Sequence, residues 1–196
     1  MAMTTTSTGG ERRTGAETRA EILRVALALF TEKGFTSTST RDISEALGIT
    51  KSALYYHFRS KDEIATSLVQ QRLRELDELL DWVETQPPTP DLLQRAALRW
   101  VESTTPERIQ AIRLAQANQP VMRRLAADGY DVRSGFDKVV ERLTHGAPAP
   151  DRLLARMAFD TVATALAAAH GFGAGPGEVI EAARRATIAL TAQVQS

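Results

Sequence analysis

The chain has 196 residues, 43% of them hydrophobic, with 24 basic and 24 acidic side chains and no cysteine. That length and apolar content can bury a sizeable core as one small and one larger domain, and the lack of cysteine excludes a disulfide framework, a thiol nucleophile and a thiolate metal site. No run of about 18 apolar residues occurs and the start of the chain has no signal-peptide pattern, so a cytoplasmic protein without a membrane partner is expected.

The zero net charge is unevenly spread. Residues 1 to 61 carry nine Lys and Arg against six Asp and Glu, and the rest carry 15 against 18. The +3 segment has the sign of a nucleic-acid module, and the −3 remainder would be repelled by DNA. Residues 1 to 15, rich in Thr, Ser and Gly, read as a disordered tail. Arg12 and Arg13 in it offer a basic arm for a minor groove, against the simpler reading of a solvated tail. A first helix over 16–33 places Ile22, Val25, Ala26, Leu29 and Phe30 on one face, and Gly34 ends it.

The most informative stretch is 38–61. Ile43 and Leu47 lie one helical turn apart, Ser39 and Asp42 have capping-box spacing, and Gly48 sits where a helix end needs positive φ. After a turn of about three residues a second helix starts at Thr50 or Lys51 and points Leu54 and Phe58 inward. Two short helices around a tight glycine-containing turn make a helix-turn-helix. The outward face of the second helix holds Lys51, Ser52, Ala53, Tyr55, Tyr56 and His57, side-chain types that reach phosphates and base edges in a major groove. Between Ile49 and Lys61 there are three basic residues and no acidic one. Ser60 and Glu63 suggest another capping box, with Lys61 in the first turn positioned to share a phosphate with backbone N–H groups. Each residue has a plainer reading: the tyrosines as core, His57 as structural, Lys51 and Lys61 as solvated. Leu54 and Phe58 already occupy the core-facing positions, which favours the outward assignment of the tyrosines.

From 61 to about 84, Ile64, Leu68, Leu76, Leu79 and Val83 recur at helical spacing, giving a helix of about 35 Å that leaves the small module and enters the next domain. Prolines 87, 88 and 90 break it. Further helices are predicted over 91–103, 106–118, 120–145 as one helix with a weak middle at Gly129 and Gly135, 151–170, and 178–195, with no strand and no internal repeat. Small residues on the last two helices, Ala155, Ala158, Ala163, Ala167, Ala182, Ala186 and Ala189, suit a close four-helix seam between two subunits; intramolecular packing is the alternative.

No catalytic signature appears. The glycines of 171–177 follow a helix and fit neither dinucleotide nor P-loop spacing. His57, His145 and His170 have no metal-ligand spacing, and the last two fall near helix C-termini, where a structural role is the default. No cofactor or metal is expected, nor an enzyme. A ligand pocket between body helices has candidate linings in Trp82, Trp100, Met122, Tyr130, Phe136, Met157 and Phe159, with Arg113, Asn118 or His145 as anchors, although such residues also serve as plain core.

Phe30, Gly34 and Phe35, then Thr38 to Ile43, Leu47 to Lys51, and Leu54 to Lys61 resemble the N-terminal DNA-binding domain of TetR-family transcriptional regulators, continuously over about 16–64. The resemblance implies an all-α protein: a three-helix DNA-binding domain at 16–61, joined by a long helix to a helical effector-binding and dimerisation domain at 62–196. It implies a homodimer that binds a double-stranded operator and an unidentified small-molecule effector, with Thr40, Arg41, Lys51, Ser52, Ala53, Tyr55, Tyr56, His57 and Lys61 at the DNA. A repressor is expected; the alternatives are an activator or ligand-independent regulator, or an enzyme or carrier whose helix-turn-helix is vestigial.

Overall fold

The computed structural model describes residues 14–194, so the tail with Arg12 and Arg13 lies outside the described residues. Those residues form helices only: α1 (Gly15–Lys33), α2 (Thr40–Leu47), α3 (Lys51–His57), α4 (Lys61–Glu84), α5 (Leu92–Glu102), α6 (Pro106–Ala117), α7 (Gln119–Ala127), α8 (Val132–Leu143), α9 (Ala149–Phe159), α10 (Thr161–Ala168) and α11 (Pro176–Thr191). Gly15, expected in the tail, opens α1, because Thr14 and Glu17 form a reciprocal capping box just before it.

Helices α1 to α3 form a head. Ile22, Ala26, Phe30, Ile43, Leu54 and Phe58 are buried together, with Phe35 edge-on to Phe30 at 5.0 Å. This core does not stop at residue 61. It takes Ile64, Ala65 and Val69 from α4, Leu114 from α6 and Leu125 from α7, and α1 packs along α6. The second half of α4 contributes Leu76, Leu79 and Val83 to the separate core of the body, with Trp100, Phe136, Val139, Ala155, Ala158 and Phe159. One helix therefore belongs to both cores.

Two predicted long helices are each split. The expected helix over 120–145 ends as α7 and restarts as α8, because Gly129 adopts φ +94° and Tyr130 donates its N–H to the carbonyl of Leu125. Gly135 does not weaken α8: a Cβ there would lie 2.9 Å from Cδ1 of Leu76, so glycine lets α8 press against α4. The expected helix over 151–170 breaks at Asp160 into α9 and α10. The Thr161 and Thr187 hydroxyls pair at 2.8 Å, and both lie within reach of the Ala158 carbonyl, at 3.2 and 3.1 Å, so this carbonyl is satisfied by side chains at the break. Ala155 and Ala158 are buried in the body core, a correction to their expected place in an intersubunit seam; Ala167, Ala182, Ala186 and Ala189 are exposed. Among the described residues, no helix is long and apolar enough to cross a membrane.

Candidate DNA interface and body cavity

The turn before the reading helix is fixed locally. Ser39 Oγ accepts from the Asp42 N–H at 3.2 Å while Asp42 Oδ2 accepts from the Ser39 N–H at 2.8 Å. The Ser39 hydroxyl, which also donates to Asp42 Oδ2, and then the Ser39 N–H hold the Asp42 carboxyl below its usual range. Gly48 is left-handed (φ 66°, ψ 26°), and the N–H groups of Gly48 and Ile49 return to the carbonyls of Glu45 and Ser44. Thr50 Oγ1 then accepts from the Ala53 N–H at 3.1 Å and starts α3. Leu54 and Phe58 are fully buried, which turns the opposite side of α3 outward.

On that side Lys51, Ser52, Ala53, Tyr55 and Tyr56 are exposed, Tyr55 by 41% and Tyr56 by 85%. Lys51 Nζ sits 5.5 Å from the centre of the Tyr55 ring, and the Tyr55 hydroxyl is 3.4 Å from Thr40 Oγ1, so α2 and α3 present one continuous polar ridge. His57 is half-buried and edge-on to Tyr56 at 5.1 Å. Arg41 is exposed and paired with Glu45 at 2.7 Å, a pair weak enough for a phosphate to replace.

Lys61 departs from expectation. Its ammonium turns inward, donating to the carbonyls of Phe35, Thr36 and Thr38 at 2.9 to 3.1 Å, and lies 4.8 Å from the centre of the Phe35 ring. All three of its donors are engaged in holding the α1–α2 loop rather than being available to a phosphate. Ser60 caps α4 as expected, but Glu63 accepts from the N–H of Arg59 at 2.7 Å instead of closing the box on Ser60. Arg59 itself is exposed beside α3. Sequence reasoning left it out of the interface, although a basic residue immediately after the buried Phe58 signals such a place.

Behind the head lies a cavity of about 480 Å³ lined by α4, α5, α6, α7, α8, α9 and α10. Trp100, Met122, Tyr130, Phe136 and Phe159 line it as expected. Trp82 does not: it packs beside Arg99, whose guanidinium is 5.0 Å from its ring centre. Met157 is 53% exposed on the outer surface. The expected anchors are elsewhere: Arg113 and Asn118 line a separate cleft between α1, α6 and the 171–174 turn, and His145 is exposed near Glu141. The polar residues the cavity does hold are Gln116, Gln119, Asp131, Asp160 and four arginines, foremost Arg72, whose guanidinium lies 3.7 Å from the centre of the Trp100 ring. Burial first, and Arg108 second, push the Arg72 guanidinium down to about 10. A buried arginine in the middle of a long amphipathic helix carries no sequence signal that separates it from a solvated one. Val69 and Leu114 line the cavity and also belong to the head core, so one wall is shared.

A tripod of short helices with an exposed, acid-free reading face defines a helix-turn-helix DNA-binding domain. Residues 22–68 match the family model for bacterial regulatory proteins of the tetR family. The regulator AcrR of Shigella flexneri is 36% identical over 93 residues, covering 46% of this chain and 43% of AcrR. The repressor KstR2 of Rhodococcus jostii is 36% identical over 99 residues, covering 50% of this chain and 47% of KstR2. The chain thus spans less than half the length of the curated relatives it matches. Among solved structures, the ketosteroid transcriptional regulator KstR2 of Mycobacterium tuberculosis aligns with a TM-score of 0.65 at 22% identity, over 94% of this chain and 97% of that one. A tetR-family regulatory protein from Rhodococcus RHA1 aligns with a TM-score of 0.67 at 18% identity, over 93% and 98%. Residues 22–68 thus match the tetR-family DNA-binding model, and the fold aligns with the solved structures through the body as well.

Proposed function

We propose that the protein is a homodimeric, ligand-responsive transcriptional repressor that binds a palindromic operator through α3 of each protomer. The observation that carries this reading is the outward face of α3, where two exposed phenols, Lys51 and two small residues stand together without a carboxylate. Thr40, Arg41 and His57 flank that face, Arg59 extends it, and Lys61 positions it by anchoring the α1–α2 loop. Relatives matched by the head include proteins named as transcriptional repressors, which supports the sign.

Residues 1 to 61 carry a net charge of only +3, too little for one copy to release the counterions of tight binding, and two heads about 34 Å apart read two half-sites on one side of the duplex. The exposed small residues Ala182, Ala186 and Ala189 on α11, with Ala167 on α10, suit the close helix approach of a subunit seam. An effector in the cavity presses on Val69 and Leu114 from behind the head core and so biases the spacing of the two heads. It shifts that equilibrium only by its differential affinity: roughly 5.5 kcal/mol moves a 1:99 population to 99:1.

The test is selection of bound duplexes from a random DNA pool by the full chain at moderate salt, with light scattering on the same sample. Enrichment of a palindrome with half-sites about one helical turn apart, bound by two 21.4 kDa chains, is expected. No enrichment, with the protein alone or with cell extract added, overturns the reading.

A further inference from the structure

The chemistry of the cavity restricts what it can hold. Its wall carries Arg72, Arg108, Arg133 and Arg156 against Asp131 and Asp160. Arg156 is neutralised on the spot, by Asp160 at 3.0 Å and by Asp137 at 2.8 Å. The Arg72 and Arg108 pair is not. Both guanidinium groups converge on one atom, Glu75 Oε2, at 3.1 and 2.8 Å, so two cations share one carboxylate oxygen. Their side chains are only 18% and 11% exposed, and Glu75 itself lies on the side of a different surface cleft.

The donors are also unequally used. Arg108 donates to the Trp100 carbonyl and to Ser103 Oγ as well as to Glu75. Arg72 donates among the described residues to Glu75 alone, through Nη1, at 3.1 Å. A guanidinium has five N–H donors in a planar fork that matches a carboxylate in two-point geometry. Its flat face is already taken by Trp100, which leaves the edge for a ligand. The rest of the lining is mixed: Leu68, Val69, Met122, Phe136, Phe159 and Val162 supply apolar surface, and Gln116, Gln119, Tyr130, Asp131 and Asp160 are polar.

We propose that the cavity binds an amphipathic monocarboxylate, with its acid group on the edge of Arg72 and its apolar body between α4, α7 and α8. Such a ligand supplies the second negative charge the arginine pair lacks, in a site where water is scarce and the pairing is therefore strong. The depressed proton affinity of Arg72 has the same origin, a buried cation short of counter-charge. A cationic ligand is disfavoured at this spot, where two guanidinium groups already share one carboxylate oxygen. The proposal rests on the reading of the body as an effector-binding domain and specifies the effector's class.

The experiment compares head groups on fixed tails by titration calorimetry with the full-length protein: 4-phenylbutyrate, 4-phenylbutan-1-ol and 4-phenylbutylamine, then decanoate, decan-1-ol and decylamine. The acid of at least one series is expected to bind about 10- to 100-fold more tightly than its alcohol, the range of one charge-assisted pair, with the amine weakest. Arg72→Met is expected to abolish the acid's advantage and leave alcohol binding unchanged. Since Arg72 also stacks on Trp100, Glu75→Gln provides a second reading that keeps the arginine: it removes the competing negative acceptor and is expected to tighten acid binding without tightening alcohol binding. Equal binding across head groups, preference for the amine, no binding of any probe, or an acid preference that survives Arg72→Met in a folded variant overturns the proposal. Release of the selected duplex is followed in parallel. Acid that binds without releasing DNA leaves the site chemistry standing and removes the effector reading; alcohols that release DNA as well as acids do the reverse.

Discussion

In the head and in the α4 helix that follows it, every helix begins with a side-chain cap: Thr14, Ser39, Thr50 and Ser60 each accept from a backbone N–H three residues on. In the body only two of seven helices do so, α6 with Thr105 and α8 with Asp131. The head is thus specified largely by contacts a few residues apart, and the body by packing between helices distant in sequence. A reader of DNA must present fixed atoms to a rigid partner, which rewards local over-determination. A body that responds to an effector, as proposed above, gains from helices that can shift against one another.

That contrast can be broken by mutation. Phe58→Ala removes a fully buried ring that three head elements share and should lower stability by about 3–5 kcal/mol, measured by urea unfolding. Leu114→Ala is the stringent case, because a body residue is predicted to act as a head residue. A loss of about 2–5 kcal/mol, with early hydrogen exchange in α1, is expected; normal protection of α1 would show the head to be independent. Tyr55→Ala should leave the melting temperature unchanged and weaken operator binding by about 1–3 kcal/mol; unchanged affinity removes Tyr55 from the interface. Ser39→Ala should cost about 1 kcal/mol, whereas Asp91→Ala, at a body helix start without a cap bond, should fall within about 0.5 kcal/mol. Equal costs would erase the distinction. Lys51→Gln is the smallest: the salt dependence of operator binding should flatten by about one phosphate contact per head, read from affinities at several salt concentrations.

The same contrast explains what was legible. Gly48, the Ser39–Asp42 box, Thr50 and both ends of α4 were readable because each is marked by a residue whose chemistry is local. The α9–α10 break was not: the Ala158 carbonyl exposed there is satisfied in part by Thr187, 26 residues away from Thr161, and the stretch between 151 and 170 reads as uninterrupted helix. Gly129 was visible but ambiguous, since a glycine that weakens a helix and one that turns the chain look alike until φ is known. The reading face of α3 was legible because Leu54 and Phe58 fix its orientation. The inward turn of Lys61 was not, for its three carbonyl partners lie 23 to 26 residues away. Arg72 was hidden for a related reason: its neighbours Trp100 and Arg108 meet it only through the packing of α4, α5 and α6.

The burial of Leu114 and Leu125 in the head core bears on how such regulators can be recombined. A segment cut after α4 would lose Leu114 and Leu125 from the core that α1 to α4 share, leaving two apolar sockets open, so the reading head is not a portable cassette. Grafting it onto another body to redirect an effector response would require that body to supply two side chains of matching volume at the same height. Chimaeras built on this chain are therefore best joined beyond α7, with the sockets and their plugs inherited together.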